Sequence, residues 1–417
     1  MAGTVSRPST FALVLLVACG SGLPRGGTDA GGPGVDLPPS PETPDLPLAG
    51  ATVAQQRAFR AGDAVFDQLF EAEDGLGPVY VQPSCAACHL RGGRGPGQTR
   101  RMAVVSTSTG EPVESLPFGP LVRPLIAAGA VIPVLPPDGG IPHGATLDVT
   151  TRLAAPVFGR AYLEAIADSE IERVAAEQAV RADGIHGRVN RVSFDSRGTV
   201  DPGFPAHAPG ESGLIGRFGV KARLATLDDV VADALQGDVG LTSALRPAEL
   251  TNPDGLTDDL LPGVDLPDTQ LAALVGYTRL LDIPRRPAPD PRGAALFDSV
   301  GCAVCHVPSL RTRADWPTPQ LAGIDAPVFT DLLLHDMGAE FADGQQEHRA
   351  GPRDFRTAPL MGLRYLASYL HDGRARTLRE AIFAHGAAGS EAAGTVERFE
   401  ALGSGDQDLL LAFVGGL

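Results

Sequence analysis

The pentapeptide Cys85-Ala-Ala-Cys88-His89 returns more than two hundred residues later as Cys302-Ala-Val-Cys305-His306. Two thiols one helical turn apart suit addition to the two vinyl groups of a single haem. The imidazole that follows is placed to ligate the iron from one face. On that chemistry Cys85, Cys88, Cys302 and Cys305 attach two covalently bound haem c groups, and His89 and His306 are the proximal ligands. Zinc sites also use Cys-x-x-Cys pairs, but these pairs are far apart and each runs straight into His. A thioredoxin-like dithiol needs a βαβ setting that is absent here.

Outward from the two motifs the pattern is helical. Phe59, Phe66 and Phe70 recur at helical spacing beside Val65 and Leu69, predicting a helix over 52–70 ahead of the first motif. Gly293-Ala-Ala-Leu-Phe297 stands in the same relation to the second, a weak internal repeat that implies two domains of one kind. Further helices are predicted over 169–181 (Ser169 and Glu172 as a capping box), 226–236 (Thr226 with Asp229), 268–282 and 405–415. Residues 103–160, rich in Pro and Gly, read as irregular chain with a small hairpin. Pro284 to Pro291 is the best domain boundary. The expected fold is all-α: two cytochrome c-like domains, 51–285 (with an insertion) and 286–417, one haem each, joined by long irregular loops.

The N-terminus reads as an address. Arg7 and the apolar run Phe11–Ala18 suit a signal-peptide core over 1–18 and are too short to span a bilayer. Leu16-Val17-Ala18-Cys19 resembles a bacterial lipoprotein signal, which puts a lipid on Cys19. Gly20 in place of Asp favours the outer membrane, on the periplasmic side of the envelope. Residues 19–50 lack large apolar side chains and read as a flexible tether. The formal net charge of −16 argues against nucleic acid as a partner and suits a basic protein partner. Lys221 is the only lysine, which reads as base-composition bias and not as chemistry.

Several stretches match a known family: DGLGPVYVQPSCAACHLRGGRG (74–95), RLAAPVFGRAYLEAI (152–166), GRFGVKARLATLDDVVADAL (216–235), GCAVCHVPSL (301–310), FTDLLLHDMG (329–338) and YLHDGRARTLREAIFAHG (369–386). With them the chain resembles the bacterial di-haem oxidoreductases, relatives of the di-haem cytochrome c peroxidases. The resemblance implies a peroxidase-like enzyme. Electrons from a small cytochrome or cupredoxin enter at haem 2 and pass to haem 1, which reduces hydrogen peroxide or a similar oxidant. It also leaves room for a calcium ion between the domains. A pure electron-transfer cytochrome is the alternative, decided by whether the far face of haem 1 is open.

For haem 2, His385 is the candidate sixth ligand. Thr377 and Glu380 start a helix on which Leu378, Ile382 and His385 share one face. The relatives place a ligand at this distance after His-x-Gly, here His371-Asp372-Gly373. A core histidine is the other reading of His385, and Met337 is the second candidate ligand. His335 and His371 read as groups that hold a propionate or orient a ligand. For haem 1 the relatives' displaceable His falls on Val105. Met102 is the nearest soft side chain, and an open face is expected. Glu164 is the candidate acid–base group there, with Arg152 supporting charge on the leaving oxygen; surface ion pairing is the alternative for both. The relatives also use an aromatic residue between the haems, and Trp316, the single tryptophan, follows the second motif in a Pro-rich loop.

Overall fold

The computed structural model describes residues 45–417 apart from 91–92, 94–97, 115, 117–118, 128–140 and 251–262. The expected signal peptide, the lipidated Cys19 and most of the tether lie outside the described residues. Among those described, no helix is long and apolar enough to cross a membrane. The helices are α1 (Val53–Asp67), α2 (Cys85–Cys88), α3 (Arg160–Ala165), α4 (Asp168–Ala179), α5 (Leu227–Ala234), α6 (Asp268–Leu280), α7 (Pro291–Val300), α8 (Leu378–Ala384), α9 (Ala393–Glu400) and α10 (Ser404–Gly415). The strands are β1 (Val79–Tyr80), β2 (Gln98–Ser106), β3 (Pro112–Glu114), β4 (Leu121–Val122), β5 (Leu125–Ile126), β6 (Ala145–Leu153), β7 (Arg191–Ser193), β8 (Ser212–Ile215), β9 (Leu310–Arg311), β10 (Asp325–Ala326), β11 (Leu334–Asp336) and β12 (Asp354–Arg356).

The expectation of an all-α fold is overturned: the fold is mixed α and β. β2 pairs antiparallel with β6 along its whole length, from Gln98 opposite Leu153 to Ser106 opposite Ala145. The other edge of β2 takes β4 at Arg100–Arg101 and β3 at Val104–Val105. Among the described residues there are also four two-stranded ribbons: β1–β5, β7–β8, β9–β10 and β11–β12. The stretch read as irregular thus holds the longest strands. Its Pro and Gly residues punctuate a sheet whose strands are rich in Val and Thr, residues that suit a pleated, half-buried surface.

The predicted helices form. Thr52 caps α1: its hydroxyl accepts from Gln55 N at 3.2 Å, and Gln55 Oε1 accepts from Thr52 N at 2.8 Å. Thr226 Oγ1 accepts from Asp229 N at 3.2 Å and opens α5. α4 starts a residue before Ser169, with Ala167 at its N-cap and no side-chain cap bond, so the Ser169–Glu172 box does not form. The chain is also ordered before residue 51. Leu48 is buried in the core, its N–H donates to Leu280 O at 2.8 Å, and this end of the expected tether belongs to the fold.

The main hydrophobic core crosses the 285/286 boundary. Phe59, Phe66, Leu163 and Tyr277 share it with Leu310, Trp316, Leu332 and Met361 from the second half. A smaller core gathers Phe297, Val300, Phe399, Leu410 and Phe413 from α7, α9 and α10. Close approach of α1 to α6 depends on Gly62. A Cβ there would lie 2.1 Å from Ala273 O and 2.5 Å from Tyr277 Cβ. In an exposed helix Gly→Ala is worth about 1 kcal/mol of added stability. At Gly62 the sign is reversed, and Gly62→Ala is expected to cost about 1–3 kcal/mol by overpacking, read as a lower urea midpoint with an unchanged slope.

Candidate functional site

The second motif is positioned by helix-stop chemistry. Asp290 caps α7, accepting from Arg292 N at 2.8 Å and Gly293 N at 3.1 Å, and Pro291 occupies the first turn. Gly301 ends the helix in the left-handed region at φ 97°, where glycine carries no Cβ penalty. The chain then makes the tight turn Cys302–Val304, with His306 N donating to Cys302 O at 2.9 Å. Cys302, Cys305 and His306 line a cavity closed on the far side by α8, with Leu378, Ile382 and His385 among its lining residues. Phe297, Leu360, Leu363 and Val414 make the rest of it strongly apolar.

His306 and His385, two of the four histidines lining this cavity, are held by the same nitrogen. His306 Nδ1 lies 3.1 Å from Phe329 O, and His385 Nδ1 lies 2.7 Å from Ala381 O. A carbonyl only accepts, so Nδ1 carries the proton in each ring and the Nε2 lone pair is left available. Burial lowers the pKa of both; His306 is pushed down to about 4, helped by the neighbouring His385. Two neutral imidazoles therefore share one apolar cavity. This backbone-locked tautomer is the usual outer-shell arrangement of metal-ligating histidine.

The cavity rim is polar in a few places. Arg356 is buried and donates to the carbonyls of Gly219 and Thr357, each at 2.9 Å. Burial pushes its pKa down to about 10 against the opposing charge of Asp331, and an anionic substituent entering the cavity would meet its guanidinium. His371 stacks on Phe355, centroids 4.3 Å apart, and is also neutral, its pKa lowered by burial to about 4. Met337 lines the same cavity.

His335 is held differently. Its Nε2 meets Asp331 Oδ2 at 2.9 Å, its Nδ1 meets Glu391 Oε2 at 2.7 Å, and Cys305 Sγ lies 3.9 Å from Nδ1. Burial opposes its charge, but Asp331 and the other partners outweigh it and raise the pKa well above the ordinary value. His335 is thus an imidazolium beside the attachment thiol. Cys305, Asp331 and His335 are the one cluster of potential metal-ligating side chains among the described residues. Sulfur and nitrogen in that set are foreign to calcium. The four motif cysteines do not converge on one such cluster, as a shared zinc site requires.

The first motif begins at Ser84, whose hydroxyl accepts from Ala87 N at 3.1 Å and caps α2. Phe66 of α1 lies 6.2 Å from the His89 ring. All four motif cysteines are free thiols. Burial pushes Cys85 and Cys302 up to about 12 and Cys88 up to about 11. Each pair sits three residues apart on one turn with a histidine directly after it, the spacing that two vinyl groups and one iron of a haem require. In both halves, then, the donor set fits covalent haem.

The surroundings of the first motif are charged, unlike the apolar second cavity. The turn Leu235–Val239 after α5 ends at left-handed Gly240. Asp238 O accepts from Val81 N at 2.7 Å and Gln82 N at 3.2 Å, which docks the turn just ahead of Cys85. The Asp238 carboxylate is near enough to both thiols to raise their pKa, and it accepts no hydrogen bond among the described residues. Burial, then Asp233, push its own pKa up to about 6 against the pull of Arg101, Arg223 and Arg123. Arg123 Nε donates to Gly237 O at 3.0 Å. Arg101 Nε is buried and donates to nothing among the described residues. No motif in the sequence marks Asp238; only the fold brings it to Cys85.

Glu164 and Arg152 lie elsewhere than expected. Glu164 accepts from Leu227 N at 2.7 Å and from Arg279 at 2.9 Å on each oxygen, and Arg279 also pairs with Asp228. Both its oxygens are committed to a buried ion pair joining α3, α5 and α6. Arg152 pairs with Asp343 at 2.5 Å and Glu347 at 2.6 Å. Glu347 also meets Arg101 at 3.5 Å, and Asp343 meets Lys221 at 3.0 Å. This buried line of alternating charge runs from Arg101, near Asp238, to Lys221, beside the second cavity. Trp316 is buried in the main core, edge-on to Phe204 at 5.5 Å.

A sequence model described as "Di-haem oxidoreductase, putative peroxidase" matches residues 145–417, and the chain belongs to this di-haem oxidoreductase family. The first Cys-x-x-Cys-His lies N-terminal to the matched residues. A search of curated proteins returns no match. Among solved structures, hydrazine synthase of Kuenenia stuttgartiensis aligns at 15% identity and a TM-score of 0.38, covering 95% of this chain and 100% of that one.

The Asp331–His335–Glu391 triad gives a pH-dependent test. A histidine whose pKa is raised by folding adds stability that is present below its unfolded pKa and is lost as pH rises through the folded one. His335→Ala is expected to cost about 3–5 kcal/mol near pH 6, because it strands buried carboxylates. The gap from the natural chain should narrow as pH climbs through the raised His335 pKa. A gap that stays constant across alkaline pH would show that the imidazole is neutral.

Proposed function

We propose that this chain is an exported di-haem c-type oxidoreductase that reduces hydrogen peroxide or a similar oxidant. Haem at each motif would supply the one-electron chemistry; two electrons and two protons convert one peroxide to two waters. Cys302 and Cys305 hold the C-terminal haem, with His306 and His385 as its two nitrogen ligands. Cys85, Cys88 and His89 hold the N-terminal one. The observation that carries the assignment is the asymmetry of the two sites. Two tautomer-locked neutral imidazoles in an apolar cavity suit a closed electron-transfer site. The Asp238 carboxyl, beside the Cys85 and Cys88 thiols and under the influence of Arg101 and Arg223, suits a site where protons move and charge develops.

At the N-terminal site Asp238, in place of Glu164, is the acid–base group. A carboxyl with a pKa near 6 can take a proton from one peroxide oxygen and return it to the other at neutral pH. Arg101 and Arg223 balance the negative charge that grows on the departing oxygen. Arg152 acts one step back, holding Glu347 and through it the position of Arg101. The acidic net charge favours a basic cytochrome or cupredoxin as donor. Haem c attachment and the Cys19 signal together favour the periplasmic face of the envelope, with a lipid anchor in the outer membrane.

Expression with cytochrome maturation should give a chain that keeps its colour on denaturation, with the mass of two haems added; a colourless product ends the proposal. The oxidised protein should show one haem that binds cyanide and one that does not. Two low-spin haems inert to cyanide in every redox state would make it an electron carrier. His385→Ala should open the second haem to cyanide. Asp238→Asn should lower peroxide turnover about 10²–10⁴-fold without altering the His306–His385 spectrum. The natural chain is expected to bind cyanide more tightly as pH passes about 6, and Asp238→Asn should abolish that rise.

A further inference from the structure

Lys221 is fully buried, and its ammonium is surrounded by oxygen. Gly351 O lies at 2.8 Å, Asp354 O at 2.9 Å, Pro352 O at 3.1 Å and Asp343 Oδ1 at 3.0 Å. The Phe355 ring covers it, with Nζ 4.0 Å from the centroid. Three carbonyls, a carboxylate and an aromatic face form the donor set of a cation site, here filled by a side chain. Of the 34 lysine and arginine residues, Lys221 alone is lysine. Arginine serves at every other lysine-or-arginine position, but its planar fork suits four oxygens converging on a point less well than a compact ammonium does. The reading of this lysine as mere base-composition bias is thus corrected by its surroundings.

We propose that Lys221 is a tethered cation in a cage built to hold a small monocation, and that it positions the wall of the C-terminal cavity. Its covered ring, Phe355, lines that cavity and stacks on His371. The neighbouring Val220 accepts from Arg356 N at 2.8 Å, and both residues line the cavity. Shortening Lys221 strands three carbonyls and half-releases Asp343, whose remaining cationic partner is Arg152. The cage itself stays, and a free alkylammonium of the right size can occupy it. The link to the cavity rests on the haem reading; the cage does not.

The test uses the full-length chain. Lys221→Ala is expected to melt lower than the natural protein. Methylammonium or ethylammonium chloride should bring it back towards the natural value, while sodium chloride at equal ionic strength should not. Lys221→Arg should be destabilised and unresponsive to amines. In haem-loaded protein the midpoint potential of the C-terminal haem should fall in Lys221→Ala, because loss of a nearby positive charge favours the oxidised state, and should return with the amine. A chain without haem loses that second readout and leaves the melting rescue intact, so the two ideas fail separately. If Lys221→Ala does not fold, Lys221→Met takes its place and should melt lower than the natural protein. Lys221→Met as stable as the natural chain, or no response of Lys221→Ala to alkylammonium, would each overturn the proposal.

Discussion

The alternating charges Arg101, Glu347, Arg152, Asp343 and Lys221 hold the two halves of the chain in register. Each charge is buried or nearly so, and a buried ion costs several kcal/mol unless its partner is in place. Here every partner comes from a distant part of the sequence. Arg101 and Arg152 are on paired strands of the sheet; Glu347 and Asp343 are on the loop that leads to β12. The loop can dock in only one way without stranding a charge. Docking it sets Phe355, Arg356 and His371 against the second cavity while fixing Arg101 near Asp238, so one network determines the shape of both sites.

The surroundings of the two Cys-x-x-Cys-His motifs differ. The C-terminal cavity is mostly apolar, and the His306 and His385 rings are tied to backbone carbonyls. Beside the N-terminal thiols stands the Asp238 carboxyl, acted on by Arg101, Arg223 and Arg123. A charged wall beside apolar packing is costly for folding, and it persists where the surrounding elements over-determine it. The Val81 and Gln82 amides grip the Asp238 carbonyl, and the Arg123 side chain grips the Gly237 carbonyl. Together they supply that restraint.

Local chemistry was legible in the sequence where it is short-range. The capping residues Thr226 and Thr377 start helices where they stand, and the spacing of Leu378, Ile382 and His385 places His385 in the cavity with His306. Longer-range features were hidden. The sheet escaped because its alternation is broken by Pro and Gly and because β2 meets β6 across nearly forty intervening residues. Glu164 reads as an acid–base group or a surface ion-pair partner, yet Leu227 N and Arg279, remote in sequence, take both its oxygens. Asp238 carries no motif at all, since its role comes from a turn folded back over residues 81–82. Lys221 looked like a compositional accident because nothing local to it announces four oxygens gathered from residues 343–354.

The N-terminal end of the described chain has a mechanical consequence. Leu48 N–H bonds Leu280 O, Asp282 N–H bonds Leu46 O, and Asp282 Oδ2 accepts from Ala49 N. A pull on the leading end would load these short bonds together in shear at the C-terminal end of α6. Tension would thus be borne by the stretch leading into the proline-rich connector between the halves. A tug at the front end would pass along these three bonds into the end of α6 before it reached α1.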